Sequence, residues 1–140
     1  MKAARIVKLN EPLQIQELQT PTSKGTQVLV KIQSSGVCHS DVHVWKGYYE
    51  GIGGQQLKTI DRGVKYPLTL GHEIAGIVDS FGEQVEGFSK NEMVELVSLA
   101  KRGIIKPVVS ERFKLDQARE ALSKLKDGKI TGRGVNIHEG

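Results

Sequence analysis

The sequence lacks the features of several protein classes. Its 140 residues include one cysteine, Cys38, so no internal disulfide can form. The disulfide framework of small secreted proteins is therefore excluded. All apolar runs are far shorter than the roughly 20 residues that a membrane span requires, and residues 1–15 lack the apolar centre of a signal peptide. These absences predict a cytoplasmic chain that neither crosses a membrane nor is exported.

Aromatic residues are also scarce, at 5% of the chain. Binding to nucleic acid usually combines basic charge with stacking aromatic side chains. The net charge is +4, but basic and acidic residues alternate, as in Lys124, Lys126, Asp127 and Lys129. We therefore predict a solvated basic surface and no nucleic-acid partner, and a salt-dependent binding assay would expose the alternative. With 38% hydrophobic residues, the chain can form a globular core.

Alternating apolar residues predict strands in the first third of the chain. The pattern covers Ala4 and Ile6, then Leu13 and Ile15, and then residues 28–32. The turn-forming residues 21–25 are too few for a crossover helix, which implies an antiparallel sheet. Residues 36–49 are predicted to form a loop and a short helix, residues 48–66 a long surface loop, and residues 68–78 a buried strand.

After Lys90 the pattern becomes helical. Ser89 and Glu92 have the spacing of a capping box, and one face of a helix ending at Gly103 is predicted to hold Met93, Leu96, Val97 and Ala100. Residues 105–113 are predicted to form a strand. Asp116 is predicted to cap a second helix, which ends at Gly128 and has the inner face Ala118, Ala121, Leu122 and Leu125. Residues 134–137 are predicted to form a last strand.

Cys38, His72 and Glu73 carry the side chains that bind zinc in proteins. Three protein ligands and an open fourth position are typical of a catalytic zinc site. Taken singly, each residue has a simpler interpretation, because a lone cysteine is more often a small buried hydrophobe. No nucleotide-binding fingerprint is complete, since Gly51, Gly53 and Gly54 do not form G-x-G-x-x-G.

Two segments together resemble the zinc-dependent alcohol dehydrogenases of the medium-chain dehydrogenase/reductase family. They are Gly-Val-Cys-His-Ser-Asp at 36–41 and Pro-Leu-Thr-Leu-Gly-His-Glu-Ile-Ala-Gly-Ile-Val at 67–78. The resemblance includes the opening Met-Lys-Ala-Ala and covers residues 1–90 in register. It implies a GroES-like catalytic domain and a small alcohol or carbonyl substrate that reacts with NAD(P).

The resemblance also implies roles for individual residues. Cys38 and His72 match catalytic zinc ligands, and Glu73 matches a neighbouring carboxylate that can take a place on the metal. Ser40 and His43 match the proton relay, and His39 matches a contact to the cofactor phosphates. Trp45 matches a residue of the substrate pocket.

The chain departs from this family after Lys90. The remaining strands of the catalytic domain, the cysteine-rich lobe and the Rossmann domain are missing, and residues 91–140 resemble the family's C-terminal end. We therefore expect an internal deletion between a GroES-like portion (1–90) and rejoined C-terminal helices with a closing strand (91–140). The expected fold is α+β, mainly β, with a partly open barrel and no complete Rossmann domain.

The departure limits the function that the resemblance implies. The family's third zinc ligand is a cysteine, and Cys38 is the only cysteine here. We expect one weakly bound zinc, no NAD(P) binding and no turnover by the chain alone. The alternative is a non-catalytic zinc-binding or scaffold module. Self-association through exposed sheet edges is a further expectation.

Overall fold

A computed structural model shows a chain built mainly of short strands. It describes residues 1–87, 89–90, 93–94 and 109–138. The strands are β1 (Lys2–Ile6), β2 (Gln14–Glu17), β3 (Val28–Gly36), β4 (Tyr48–Glu50), β5 (Gln56–Lys58), β6 (Leu68–Thr69), β7 (Glu73–Phe81), β8 (Met93–Val94), β9 (Val109–Lys114) and β10 (Arg133–Ile137). The helices are α1 (His39–Lys46) and α2 (Ala118–Lys126), and short 3-10 turns lie at Ile52–Gly54, Ile60–Arg62 and Leu115–Gln117.

Most strands belong to two sheets. The smaller sheet has the order β2-β1-β6, and the larger has the order β8-β7-β3-β10-β9. The pairs β1–β2, β1–β6, β3–β7, β7–β8 and β10–β3 are antiparallel, whereas β9 and β10 are parallel. The antiparallel pairing predicted across residues 21–25 is wrong, because β2 and β3 belong to different sheets. β2 pairs instead with β1, with Ala4 opposite Ile15.

The two sheets do not close into a barrel. A groove of about 1020 Å³ lies along them and is lined largely by apolar side chains. Three of these side chains remain open to solvent, since Ile15, Ile32 and Ile74 are 42%, 38% and 46% exposed. The predicted α+β, mainly β fold with a partly open barrel is confirmed.

The C-terminal elements form a β-α-β unit that packs against the start of the chain. The parallel strands β9 and β10 are joined through α2. Phe113 and Ala121 of this unit are 4% and 0% exposed and share a core cluster with Val37, and the partly buried Leu125 and Ile130 pack against it. β10 also pairs with β3. The C-terminal unit is therefore part of the fold and not a loose extension.

Two of the predicted strand and loop boundaries are wrong. Residues 48–66, predicted as one loop, include the β4–β5 hairpin, in which Tyr48 pairs with Lys58. The predicted strand 68–78 is divided into β6 and β7 by residues 70–72, which are not in a strand. Gly71 has φ 106 there, a left-handed conformation that interrupts the extended backbone.

The start of the predicted helix after Lys90 is also wrong. Met93 and Val94 form a short strand that pairs with Ile77 and Gly76 of β7. The unpaired edge of β7 offers hydrogen bonds, and such tertiary pairing overrides a weak local helix preference. The rest of that predicted helix, and the start of the strand predicted at 105–113, lie outside the described residues.

The predicted C-terminal helix is present, but its cap differs. Asp116 lies inside the Leu115–Gln117 turn, which precedes α2. The Gln117 side chain accepts a hydrogen bond from the Lys114 N–H at 2.9 Å. The predicted cap at Asp116 is therefore wrong, because the chain enters the helix through a 3-10 turn. In the part of the chain that the structure describes, neither this helix nor α1 is long and apolar enough to cross a membrane.

Candidate metal site

Cys38 lies where β3 ends and α1 begins. Its backbone is extended (φ −107, ψ 152), and it occupies the N-cap position of α1. The Asp41 carboxylate accepts a hydrogen bond from the Cys38 backbone N–H at 3.1 Å. This contact satisfies a free donor at the start of the helix and places a negative charge near the positive end of the helix dipole. The thiol is consequently held at a fixed point beside the first turn.

His72 and Glu73 reach the same place from the break between β6 and β7. Neighbouring residues of a regular strand point to opposite faces, so their convergence needs the irregular backbone that Gly71 provides. A Cβ on Gly71 would lie 2.7 Å from the Ser35 hydroxyl oxygen. A Cβ on Gly36 would overlap the Glu73 carboxylate. Glycine at these two positions makes room for the site.

The structure brings together Cys38, His72 and Glu73. One ligand atom from each of these side chains lies within 4.8 Å of the other two. The Ser40 hydroxyl joins the group through a 3.1 Å hydrogen bond with His72 Nε2. Three side chains of the types that can bind zinc and one hydroxyl therefore share a small, partly exposed cluster.

Hydrogen bonds within this cluster alter two pKa values. Hydrogen bonds with the Ser40 side chain and backbone lower the pKa of the Cys38 thiol. The hydrogen bond with Cys38 raises the pKa of His72, and the nearby Asp41 carboxylate acts in the same direction. Both shifts favour a thiolate beside a charged imidazole. The thiolate is the form of cysteine that binds metals, and a metal bound at Nε2 of His72 would displace the proton from that nitrogen.

Asp41 belongs to the cluster, although the sequence did not assign it to the site. Its Oδ1 lies 3.3 Å from Nδ1 of His72, and its side chain is only 7% exposed. A carboxylate on one ring nitrogen fixes the orientation of the histidine and directs the other nitrogen toward a metal. The sequence signal was its place in the segment 36–41, three residues after Cys38 at the start of a helix.

Arg133 is a second residue that the sequence did not reveal. Its Nη1 donates to both oxygens of Glu73, at 2.7 and 2.9 Å. The arginine is the first residue of β10 and lies 60 positions beyond Glu73 in the chain. No local pattern connects residues so distant, so only the pairing of strands could show this contact.

The other predicted site residues lie along α1. The rings of His39 and His43 are 5.9 Å apart, and His43 is 5.0 Å from the Tyr49 ring. Nδ1 of His43 is buried and has no hydrogen-bond partner among the described residues. The Trp45 indole donates to the Glu11 carbonyl at 2.6 Å and lies 5.1 Å below the Lys126 ammonium. In the described residues, the Ser40 hydroxyl bonds to His72 and not to His43.

The cluster fits a zinc ion. Thiolate, imidazole and carboxylate are its usual protein ligands. The buried Asp41 already holds Nδ1 of His72, which leaves Nε2 for a metal, and the Ser40 hydroxyl now occupies that nitrogen. The bonds between Arg133 and Glu73 oppose a complete three-ligand set.

The β9–α2–β10 unit lacks the glycine-rich turn of a dinucleotide site. The β9–α2–β10 unit has the strand-helix-strand order of a nucleotide-binding fold, whose first turn carries a glycine-rich sequence around the phosphates. Here that turn is Lys-Leu-Asp-Gln at 114–117. This turn lacks the glycines that let a backbone approach phosphates closely, and no step of a reaction is assigned to a bound nicotinamide cofactor.

Comparisons with known proteins agree with this geometry. Residues 24–111 match the family model described as alcohol dehydrogenase GroES-like domain. The chain is 47% identical over 94 residues to an NAD-dependent alcohol dehydrogenase of Saccharolobus solfataricus, an alignment that covers 67% of this chain and 26% of the relative. The chain thus spans about a quarter of the length of that relative.

Solved structures give the same picture. The alcohol dehydrogenase of the archaeon Aeropyrum pernix matches with a TM-score of 0.54 and 31% identity, over 71% of this chain and 30% of that one. The human synaptic vesicle membrane protein VAT-1 homolog-like protein matches with a TM-score of 0.83 over all of this chain and 98% of that chain. At 11% identity the second likeness concerns the fold alone.

Proposed function

Because the chain belongs to the alcohol dehydrogenase family with a GroES-like domain, we propose that it is the zinc-binding part of a zinc-dependent alcohol dehydrogenase. Its ligands are Cys38, His72 and Glu73. One observation carries the proposal: these three donors lie within 4.8 Å of one another, beside a buried carboxylate that orients the histidine. The expected stoichiometry is one zinc per chain.

Each residue of the cluster has a chemical task in this proposal. Zinc, when bound, would supply the Lewis acidity that lowers the pKa of an alcohol oxygen. Asp41 holds His72 in the tautomer whose Nε2 faces the metal position. The Ser40 hydroxyl lies next to that position and, as the family's relay residues do, would accept a proton from a small alcohol while it passes its own proton on. The next member of the proposed relay is His43, which requires the Ser40 hydroxyl to turn away from His72, its partner in this structure. His39 remains the family's predicted contact to the cofactor phosphates.

We further propose that the chain does not oxidise alcohols or reduce carbonyl compounds by itself. Hydride transfer requires substrate and nicotinamide in near-attack geometry. The turn of the β9–α2–β10 unit lacks the glycines that would bring phosphates close. The lone cysteine also leaves the metal without the family's third ligand. The same features favour the alternative of a non-catalytic zinc-binding module.

The cysteine, the exposed apolar side chains and the charges support proposals about the compartment and the partners of the protein. The free thiol of Cys38 suits a reducing cytoplasm. Apolar side chains exposed along the groove favour self-association. Basic and acidic residues alternate along the sequence, and we propose no nucleic-acid or membrane partner.

Metal analysis of the purified and dialysed chain tests the zinc site. We expect about one zinc per chain and its loss in Cys38→Ala. His39→Ala is the matched control, because His39 lies on the same helix and outside the cluster, and this variant should retain the metal. Two zincs per chain, or full retention in Cys38→Ala, would contradict the proposed site.

An activity assay tests the second proposal. The zinc-loaded chain should show no turnover with either nicotinamide cofactor and a panel of primary and secondary alcohols. Turnover that Cys38→Ala abolishes would show that the chain is an enzyme on its own. Zinc without turnover is the outcome expected for a zinc module.

A further inference from the structure

The Glu73 carboxylate is engaged by an arginine from the far end of the chain. Both of its oxygens accept hydrogen bonds from Nη1 of Arg133, at 2.7 and 2.9 Å. These same oxygens are the atoms that Glu73 could offer to a metal. Among the described residues, neither Cys38 nor His72 is bound by an arginine or lysine side chain, and the two contact each other.

The strand order explains how Arg133 reaches Glu73. Gly36, at the end of β3, pairs with Glu73 of β7 on one side and with Val135 of β10 on the other. Val135 therefore lies across Gly36 from Glu73, and Arg133 is two residues before Val135, near enough for its long side chain to reach the carboxylate. Because Gly36 has no side chain, nothing separates the guanidinium from the carboxylate.

The Glu73 carboxylate cannot bind the Arg133 guanidinium and a metal ion fully at the same time. Arginine binds a carboxylate through directed hydrogen bonds to its lone pairs, and a metal uses the same lone pairs. The guanidinium is always charged, so this competitor is present at every pH near neutrality. The salt bridge is partly exposed, with side-chain exposures of 58% for Arg133 and 33% for Glu73. The salt bridge therefore competes only modestly with a metal for Glu73, and a metal can displace it.

We propose that Arg133 is a positioning residue that holds Glu73 away from the metal. Zinc is then bound mainly by Cys38 and His72, and Glu73 joins only when the guanidinium releases it. The inference rests on the proposed zinc site and specifies how that site is regulated. It also gives the C-terminal strand β10 a role in setting the number of metal ligands.

Zinc affinity, measured by competition with a chromophoric chelator, tests the inference in a double-mutant cycle. Exposed salt bridges contribute roughly 0.2–1 kcal/mol, so Arg133→Ala should tighten zinc binding by about 1.4- to 5-fold. In a Glu73→Gln background, Arg133→Ala should change the affinity little. Arg133→Lys keeps the charge without the guanidinium geometry and should give an intermediate tightening. Arg112→Ala, on the neighbouring strand β9, is the control for loss of one positive charge and should have no effect.

Absorption spectra of the cobalt-substituted proteins provide a second readout. If Arg133 keeps Glu73 off the metal, the unmodified chain and Glu73→Gln should give the same spectrum. The spectrum of Arg133→Ala should differ from both. Equal tightening in both backgrounds would overturn the inference, because it would mean simple charge repulsion. Weaker binding in Arg133→Ala would also overturn it, since Arg133 would then present Glu73 to the metal. Absence of zinc from every variant would instead refute the underlying zinc site, and the inference with it.

Discussion

Replacing Phe113 by alanine is expected to destabilise the whole described fold. Phe113 is 4% exposed and lies in the core cluster with Val37 and Ala121. Burial of a phenylalanine side chain contributes about 1.5–3 kcal/mol, and the cavity left by its removal raises the cost to about 3–5 kcal/mol. Since a whole domain is stable by only about 5–15 kcal/mol, this single change should remove a large part of its stability.

Urea unfolding gives the measurement. Trp45 is the only tryptophan, and its ring lies beside Lys126 of α2, so its fluorescence reports on the packing of the C-terminal unit. With a denaturant slope of about 2 kcal/mol per molar, the expected loss corresponds to a shift of about 1.5–2.5 M in the midpoint. Circular dichroism should follow the same single transition.

Phe81→Ala is the matched control for this experiment. Phe81 ends strand β7 and is 41% exposed, so the same substitution should cost under about 1 kcal/mol. Equal midpoint shifts for the two variants would refute the reasoning. Loss of helical signal in a separate early step would also refute it, because the C-terminal unit would then unfold independently.

Three other changes have defined outcomes. Asp41→Asn should weaken zinc binding roughly 10- to 100-fold in the chelator competition, because the amide no longer fixes His72 as a carboxylate does; unchanged affinity would exclude that role. Burial lowers the pKa of His138 from its ordinary 6.5, so the unfolded state binds this proton more readily, and the free energy of unfolding should fall as the pH drops below about 6.5. His138→Gln should remove that part of the pH dependence, and equal slopes in urea melts of both proteins would contradict it. Light scattering at several concentrations should show self-association that Ile74→Lys reduces, since Ile74 is 46% exposed in the groove; a monodisperse monomer at all concentrations would contradict this prediction.

The sequence predicted those elements whose signals are local. Period-two alternation indicated β1 and β3, and the spacing of Ala118, Ala121 and Leu122 indicated the buried face of α2. The wrong prediction of a helix start after Lys90 falls where distant pairing decides. Met93 and Val94 form a strand because the edge of β7 is available to them, and a capping-box pattern contains no information about that edge.

In the candidate site too, the sequence predicted the residues that have a local signal and not the contacts between distant segments. Cys38, His72 and Glu73 were found through a resemblance, and the break that brings His72 and Glu73 together depends on the neighbouring Gly71. Asp41 lies in the segment that carries the resemblance. Its contact with His72 could not be predicted, because it depends on how the segments 36–41 and 67–78 pack against each other. The Arg133 contact depends on β10 pairing with β3, which follows from the packing of the whole C-terminal unit.

The position of the metal ligands and the packing of the C-terminal unit are physically linked. Val37, the residue before Cys38, is buried against Phe113 and donates its N–H to the Gly134 carbonyl at 3.0 Å. Gly134 follows Arg133 directly, so the strand that anchors the Cys38 segment also delivers the arginine to Glu73. A variant that loosens β10 should therefore disturb the zinc site in two opposed ways. It would release Glu73 for the metal, and it would free Cys38 from its fixed place beside α1.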